Sequence, residues 1–405
     1  MRLSKGNGSV ELKHRALKPK ILALCAMLIL FSTTSHAQDR NWTLTGYVKD
    51  LFMYYHPKQI PGFQIDNQYT NTIHNRLNFA WYPTDKLTVV IENRNRFING
   101  NLVRDYPEYQ SYVATDNGFF DLSVVPAEGD SWFLHCMIDR AYLDWTSGKW
   151  QVRLGRQRVN WGVNLVWNPN DVFNSFSYFD FDYEERPGTD AARIQYYTGT
   201  TSSAELVYKL GNNAYGMALA GLYRFSQWSY DFQFLGGWVG PDWMAGVGWA
   251  GDIKGAGFRG ELSQFIPRDS NSDSEAATVA SISADYSFPN SLYLQISGLY
   301  NSLGENDQSG GLSPILNPEL SAKSLSLGKY ELFAQCSFPI TPLFNADFST
   351  IINPGDGSFF LGPSFSYSLQ TNLELMLSGQ LFFGDTTSEY GSVGQLAFAR
   401  LKWSF

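Results

Sequence analysis

Apolar and polar side chains alternate along most of this chain with a period of two, the pattern of strands that bury or wet one face at a time. Ile73, Leu77, Phe79 and Trp81 interleave with His74, Arg76 and Asn78. Trp228, Tyr230, Phe232 and Phe234 alternate with Ser229, Asp231 and Gln233, and Leu373, Leu375 and Leu377 with Asn372, Glu374 and Met376. Segments of this kind, bounded by turn residues, predict about eighteen strands. A count of about sixteen requires merging the weaker segments at 201–210 and 241–253.

The linkers fall into two classes. Short turns are expected at Pro83–Lys86, Thr146–Lys149, Gly199–Ser202, Phe225–Gln227, Asp252–Gly255, Pro289–Ser291, Pro339–Pro342 and Gln370–Asn372, each after an even-numbered strand. Longer connections at 56–70, 98–131, 161–189, 267–275, 303–327 and 384–391 follow odd-numbered strands. Short turns on one side and long loops on the other are the asymmetry of a transmembrane antiparallel up-and-down β-barrel, an all-β fold. Closure explains how apolar surface faces outward: in lipid every backbone group must be paired, and a closed barrel leaves no strand edge. About eighteen strands enclose a lumen too wide for side chains alone to fill. The expected wall therefore has a lipid face and a polar or small-residue lumen face.

Composition supports this class. Of 405 residues, 44% are hydrophobic and 16% aromatic but only 17% charged, and the aromatics can supply interfacial girdles. A helical membrane protein needs about eighteen consecutive apolar residues, whereas the longest run here is Ile21–Phe31. Disorder is poor in aromatics, and collagen needs glycine at every third position. No internal repeat stands out. With no long segment before the first strand near Asn41 and none after Phe405, the sequence speaks against a plugged energised transporter or an appended peptidoglycan-binding domain.

The two ends point to export. Arg2, Lys5, Lys13, Arg15, Lys18 and Lys20 precede the apolar run, and Ser35-His36-Ala37 follows it, so residues 1–37 read as a signal peptide and residues 38–405 as the barrel. Its removal leaves a net charge of about −13, a poor balance for binding nucleic acid. Cys136 and Cys336 remain, and one disulfide or two unpaired thiols on strands both fit. The final residues place Ala397, Ala399, Leu401, Trp403 and Phe405 on one strand face, with Arg400, Lys402 and Ser404 on the other. Leu401, Trp403 and a terminal Phe405 look like the signal by which outer-membrane barrels are recognised by the assembly machinery.

Candidate chemistry concentrates in one region. Ten of the fifteen mature arginines lie between Arg76 and Arg193. Alternation gives a lumenal face to Arg76, Glu92, Arg94, Arg96, Arg140, Asp144, Arg153 and Arg193. Guanidinium groups are permanently charged forks of donors, so such a wall attracts carboxylates and phosphates. The same residues also suit ion-pair networks that only stiffen the wall. Arg156 and Arg158 have the wrong parity unless Gly155 marks a bulge. The long connection beside them carries Trp161, Trp167, Asp171, Asp180, Asp182, Glu184, Glu185 and Arg186, and is expected either to fold inward as a constriction or to remain a surface loop. Spaced carboxylates at Asp180, Asp182 and Glu184 suit Ca²⁺ as well, but no metal and no cofactor is assigned.

The order Gly155-Arg156-Gln157 with Trp161-Gly162, then Asn168-Pro169 with Asp171, then Glu184 and Pro187 leading into Arg193, resembles outer-membrane porin-like proteins, including the alginate-export porin family and related barrels. The resemblance covers roughly residues 139–197. It implies an arginine-rich lumen and an inward loop that pass an acidic polysaccharide, with Arg94, Arg96, Arg140, Arg153 and Arg193 as the candidates here.

The expected function is an outer-membrane channel for passive or facilitated diffusion of small polar solutes or oligosaccharides, neutral or anionic, through an arginine-lined lumen. Its partners are outer-membrane lipid, the assembly machinery and the solute, not nucleic acid; the sequence fixes no oligomeric state. Two alternatives stand beside it: a structural or adhesive barrel with a closed lumen, and a lipid-modifying hydrolase. The latter needs a serine with a base in reach. Only His56, His74 and His135 are available, and neither a Gly-x-Ser-x-Gly elbow nor a His-Glu-x-x-His helix occurs. Of the three, parity allows only His135 a lipid-facing position.

Overall fold

The computed structural model describes residues 41–59, 66–180, 184–269, 274–305 and 321–405. The signal peptide read over residues 1–37 and the candidate Asp182 lie outside them. The strands are β1 (Trp42–Pro57), β2 (Gln68–Thr84), β3 (Leu87–Asn99), β4 (Ser123–Gly129), β5 (Trp132–Ser147), β6 (Trp150–Gln157) and β7 (Thr189–Tyr197). There follow β8 (Ser203–Lys209), β9 (Ala218–Gln227), β10 (Tyr230–Val239), β11 (Asp242–Ile253), β12 (Ala256–Pro267) and β13 (Ala277–Ser287). The last are β14 (Tyr293–Asn301), β15 (Tyr330–Thr341), β16 (Phe344–Ile352), β17 (Phe359–Gln370), β18 (Leu373–Phe383) and β19 (Gly394–Ser404). Eighteen of them form a closed antiparallel barrel. Closure runs through β1, where Lys49 lies opposite His74 of β2 on one side and Lys402 of β19 on the other. The weak segments around 201–210 and 241–253 are separate strands, β8 and β11, which settles the count against sixteen.

The expected turn parity holds, with one displaced turn. The β9–β10 reversal falls on Trp228 and Ser229 rather than Phe225–Gln227, because the ladder continues to Gln227 opposite Tyr230. Both turn residues have positive φ, 55° and 63°, the backbone of a two-residue hairpin whose twist matches its strands.

β4 is the extra strand. It pairs with the first half of β5, Ser123 opposite Met137, whereas β6 pairs with the second half, Ser147 opposite Trp150. The wall thus continues past the point where β6 leaves it. A second irregularity lies in β5 itself. Glu92 faces Arg140 while Asn93 faces Ile138, so Asp139 is a bulged residue. One inserted residue reverses the alternation before it. His135, read from strict alternation as lipid-facing, instead lies opposite Arg96 and is fully buried.

The outward positions carry exposed apolar side chains around the whole circumference, among them Leu143, Leu206, Phe234, Trp243, Ile266, Ile296, Leu332, Phe348, Leu377 and Trp403. That is the surface of a barrel standing in lipid. The inner face departs from expectation. On its turn side it is polar, with Glu205, Gln233, Glu261, Ser283, Gln295 and Ser297 buried. On its loop side it is apolar: Val207, Leu235, Met244, Phe265, Val279, Leu299, Phe333, Ile351, Phe360 and Phe382 form one cluster. An apolar inner face is stable only if something covers it, and the β6–β7 connection does so.

Candidate functional site

The described parts of the β6–β7 connection, residues 158–180 and 184–188, turn into the barrel and reach the opposite wall. Trp161, Val166, Trp167, Val172 and Phe173 are buried in the loop-side cluster. Trp161 meets Phe173 edge to face at 4.8 Å, Trp167 meets Phe333 at 6.4 Å, and Phe179 packs between Phe360 and Phe382. Backbone groups carried so deep need partners. Glu261 of β12 supplies three: one carboxylate oxygen accepts from the N–H of Val163 at 2.5 Å and of Asn164 at 2.8 Å, and the other from Asn170 at 2.8 Å. Ser263 donates to the Pro169 carbonyl, Ser281 to that of Trp167 and Gln233 to that of Trp161, while the Trp161 indole donates to Glu205 at 2.6 Å. The loop is therefore folded inward, not splayed on the surface.

Asp171 sits within this apolar packing. One carboxylate oxygen accepts weakly from the Trp161 N–H at 3.4 Å, and the other has no partner among the described residues. Burial pushes its carboxyl up to about 7, against the pull of Arg158. Asp180, by contrast, is exposed, its N–H closing a turn onto the Ser177 carbonyl.

The return segment reaches a charged sector of the wall formed by β18, β19, β1, β2, β3 and β5. Lys402, Lys49, His74 and Arg96 are successive cross-strand neighbours in one row, and Tyr47, Arg76 and Arg94 in the next. Arg76 bonds Glu92 at 2.5 Å, Asp139 and the Asn78 side chain, with Glu185 at 3.5 Å. Arg94 lies 3.8 Å from Asp139. Arg140 donates to the backbone carbonyls of Asp139, Glu185 and Arg186 at 2.8, 2.7 and 2.6 Å. Glu184 joins Arg400 at 2.9 Å and Lys402 at 2.6 Å, and Glu374 also holds Arg400 at 2.8 Å. Burial alone would raise the Glu184 carboxyl, but the hydrogen bond and charge of Lys402, with Arg400, hold it below the usual range. Burial also draws the Arg186 guanidinium, beside Arg158 and over the Phe176 ring, down to about 10.

Of the arginines and acids singled out in the sequence, Arg76, Glu92, Arg94, Arg96 and Arg140 come together here. Arg153 with Asp144, at 2.5 Å, and Arg193 with Glu205, at 2.8 Å, are separate pairs further round the wall. Arg156 is buried at the rim between Asp116 and Asp190, at 2.6 and 2.8 Å, and the ladder runs through Gly155 without a register shift. Sequence reasoning missed Lys49, Asp139, Glu205 and Glu261 as lumenal groups. Lys49 and Glu261 had the alternation to reveal them; Asp139 was hidden by its own bulge.

One serine and histidine are in contact. Ser123 Oγ is 2.8 Å from His135 Nε2. Arg96 reaches Nδ1 at 2.8 Å, and a guanidinium only donates, so Nδ1 accepts and the ring proton sits on Nε2. That proton points at Ser123, whose hydroxyl donates to the Ala114 carbonyl at 2.7 Å. The imidazole is the wrong tautomer to act as a base for this serine. Cys136 and Cys336 form no disulfide, and among the described residues no group of three His, Cys, Asp or Glu is placed to hold a metal.

No protein family matches this sequence, and no curated protein does. Its fold, however, matches solved structures. Acinetobacter baumannii OccAB3 superposes with a TM-score of 0.57 at 8% identity, over 90% of this chain and 99% of that one. The outer membrane protein OprD from Pseudomonas aeruginosa gives 0.55 at 10% identity, over 90% and 93%. Pseudomonas aeruginosa OccD3 (OpdP) gives 0.54 at 10% identity, over 89% and 91%. At such identity the likeness is one of fold: the closed eighteen-strand antiparallel barrel is shared.

Proposed function

We propose that this chain is an outer-membrane channel for small polar solutes with a preference for anions, narrowed by its own inward loop. The observation that carries the reading is the asymmetry of the narrowed lumen. Opposite the apolar docking face, the cations Lys49, Arg76, Arg94, Arg96, Arg140, Arg400 and Lys402 outnumber the carboxylates Glu92, Asp139, Glu184, Glu185 and Glu374 among the described residues. A cationic strip in a low-dielectric wall concentrates anions. The outward apolar band, the fold shared with OprD and the exposed Leu401, Trp403 and Phe405 support the outer membrane as its site and the last strand as its assembly signal. For alginate in particular, the support is only the motif order between residues 139 and 197.

One observation favours a second reading. The loop-side half of the lumen is packed with aromatic side chains, as a structural or adhesive barrel with a closed lumen would require. Conductance of the refolded chain in a planar bilayer under a salt gradient separates them. The channel reading expects steady anion-preferring current, and Arg94→Ala with Arg96→Ala should move the reversal potential toward cation preference. A correctly folded barrel that carries no current supports the closed one.

A further inference from the structure

The inward loop is attached to the barrel in two unlike ways. Its first half is buried among apolar side chains and gripped through its backbone by Glu261. Its return is held by Arg140, which donates to the backbone carbonyls of Glu185 and Arg186 at 2.7 and 2.6 Å, and it meets the charged wall through two side-chain carboxylates as well. Glu184 gives one oxygen to Arg400 Nη1 at 2.9 Å and the other to Lys402 Nζ at 2.6 Å, and Glu185 faces Arg76 Nε at 3.5 Å. The Glu184 side chain is 34% exposed, whereas Arg400 beneath it is 10% and Lys402 19% exposed. Glu374 braces Arg400 from β18, and Lys402 lies over the Tyr47 ring at 4.6 Å, so these cations are positioned independently of Glu184. An ion pair this open to water is weakly held. The two cations bind a carboxylate without regard to whether it belongs to the chain or to a solute.

We propose that Glu184 is an intramolecular competitor: at rest its carboxylate caps the Arg400–Lys402 pair, and an anion entering from the turn side displaces it and loosens the chain at Glu184, next to the point where Arg140 holds Glu185 and Arg186. This rests on the channel reading for its purpose, though not for its test. A group tethered by a short segment acts at an effective concentration on the order of millimolar, so displacement requires solute in that range.

Succinate serves as the probe. In the refolded wild-type barrel, backbone hydrogen exchange at residues 184–188 should rise with millimolar succinate and not with equal ionic strength of sodium chloride. In bilayers, Glu184→Gln should lower the half-blocking succinate concentration about tenfold, with Glu184→Asp between the two. Exchange that does not respond to succinate overturns the proposal whether or not the barrel conducts. An anion-preferring channel whose block is the same in Glu184→Gln overturns it as well, and leaves the channel reading standing. A barrel that conducts without anion preference, yet shows the exchange response, sinks the channel selectivity and keeps the competitor.

Discussion

Glu331 and Glu389 meet across a single hydroxyl: Ser326 Oγ lies 2.9 Å from an oxygen of the first and 3.0 Å from an oxygen of the second. Both acids are buried, and the contact ties the β14–β15 and β18–β19 connections together, with Asn353 of the β16–β17 connection donating to Glu389 at 2.8 Å. A hydroxyl has one hydrogen and can donate to only one carboxylate. One of the two carboxylates is therefore left without the Ser326 hydrogen. Glu331→Gln removes one of the two acids and adds an N–H donor, and should leave the urea midpoint at pH 8 equal to or above wild type. Glu331→Ala also loses the Tyr390 hydroxyl bond, 3.1 Å in the native chain, and should cost about 1–3 kcal/mol. A glutamine variant as unstable as the alanine one would mean that the two carboxylates do not oppose each other across Ser326.

Asp171 makes the inward loop sensitive to pH. Its carboxyl titrates at about 7 in the folded chain, above the ordinary value of roughly 3.9, because burial disfavours the charge. The folded state thus binds this proton more tightly than the unfolded one. The stability it contributes is complete below the ordinary range and is lost as pH rises through about 7. Corrected for the base catalysis of intrinsic amide exchange, protection over residues 159–174 should be lower at pH 8 than at pH 6 in the wild type, and the difference should shrink in Asp171→Asn. Equal protection at the two pH values would remove Asp171 from any role in holding the loop.

Glu261 is the strongest single anchor of that loop, since three backbone N–H groups lose their acceptor without it. Each buried donor left unpaired costs about 1–3 kcal/mol. Glu261→Ala should therefore release the segment from Trp161 to Asn170, raise single-channel conductance and open a protease site there. If conductance and cleavage both match wild type, the apolar packing of Trp161, Trp167 and Phe173 holds the loop unaided.

Much of this architecture was legible because strand alternation and turn chemistry are local. The eighteen strands and the parity of the linkers can be read from neighbouring residues, whereas the path of the connection after Trp161 cannot, since alternation leaves both an inward and a surface course open. The bulge at Asp139 could not, since one inserted residue changes no composition, and with it went the true orientation of His135. The apolar inner face escaped for another reason. Phe265, Phe333 and Phe360 follow or precede lipid-facing apolar residues, so strands apolar on both sides read as imperfect alternation rather than as a docking surface. Glu261 acts on residues more than ninety positions away, and no local pattern reports that pairing.

The β9–β10 turn offers a test of what lipid contributes. Trp228 and Ser229 occupy positions with φ of 55° and 63°, where Asn-Gly is preferred and a bulky side chain is strained. Trp228 is nevertheless 80% exposed and touches too little protein to offset that strain. Its indole stands on the turn side of the barrel, at the end of an aromatic ladder of Tyr223, Phe225, Tyr230, Phe232 and Phe234. Tryptophan is favoured where lipid meets water. Replacing Trp228 and Ser229 with Asn and Gly should therefore stabilise the barrel in detergent by about 0.5–1 kcal/mol, through relief of the turn. In phospholipid vesicles the gain should vanish or reverse, because the interfacial anchor is lost. Unfolding midpoints of the same variant in the two media decide the point: equal gains in both would show that the indole has no lipid contact to lose.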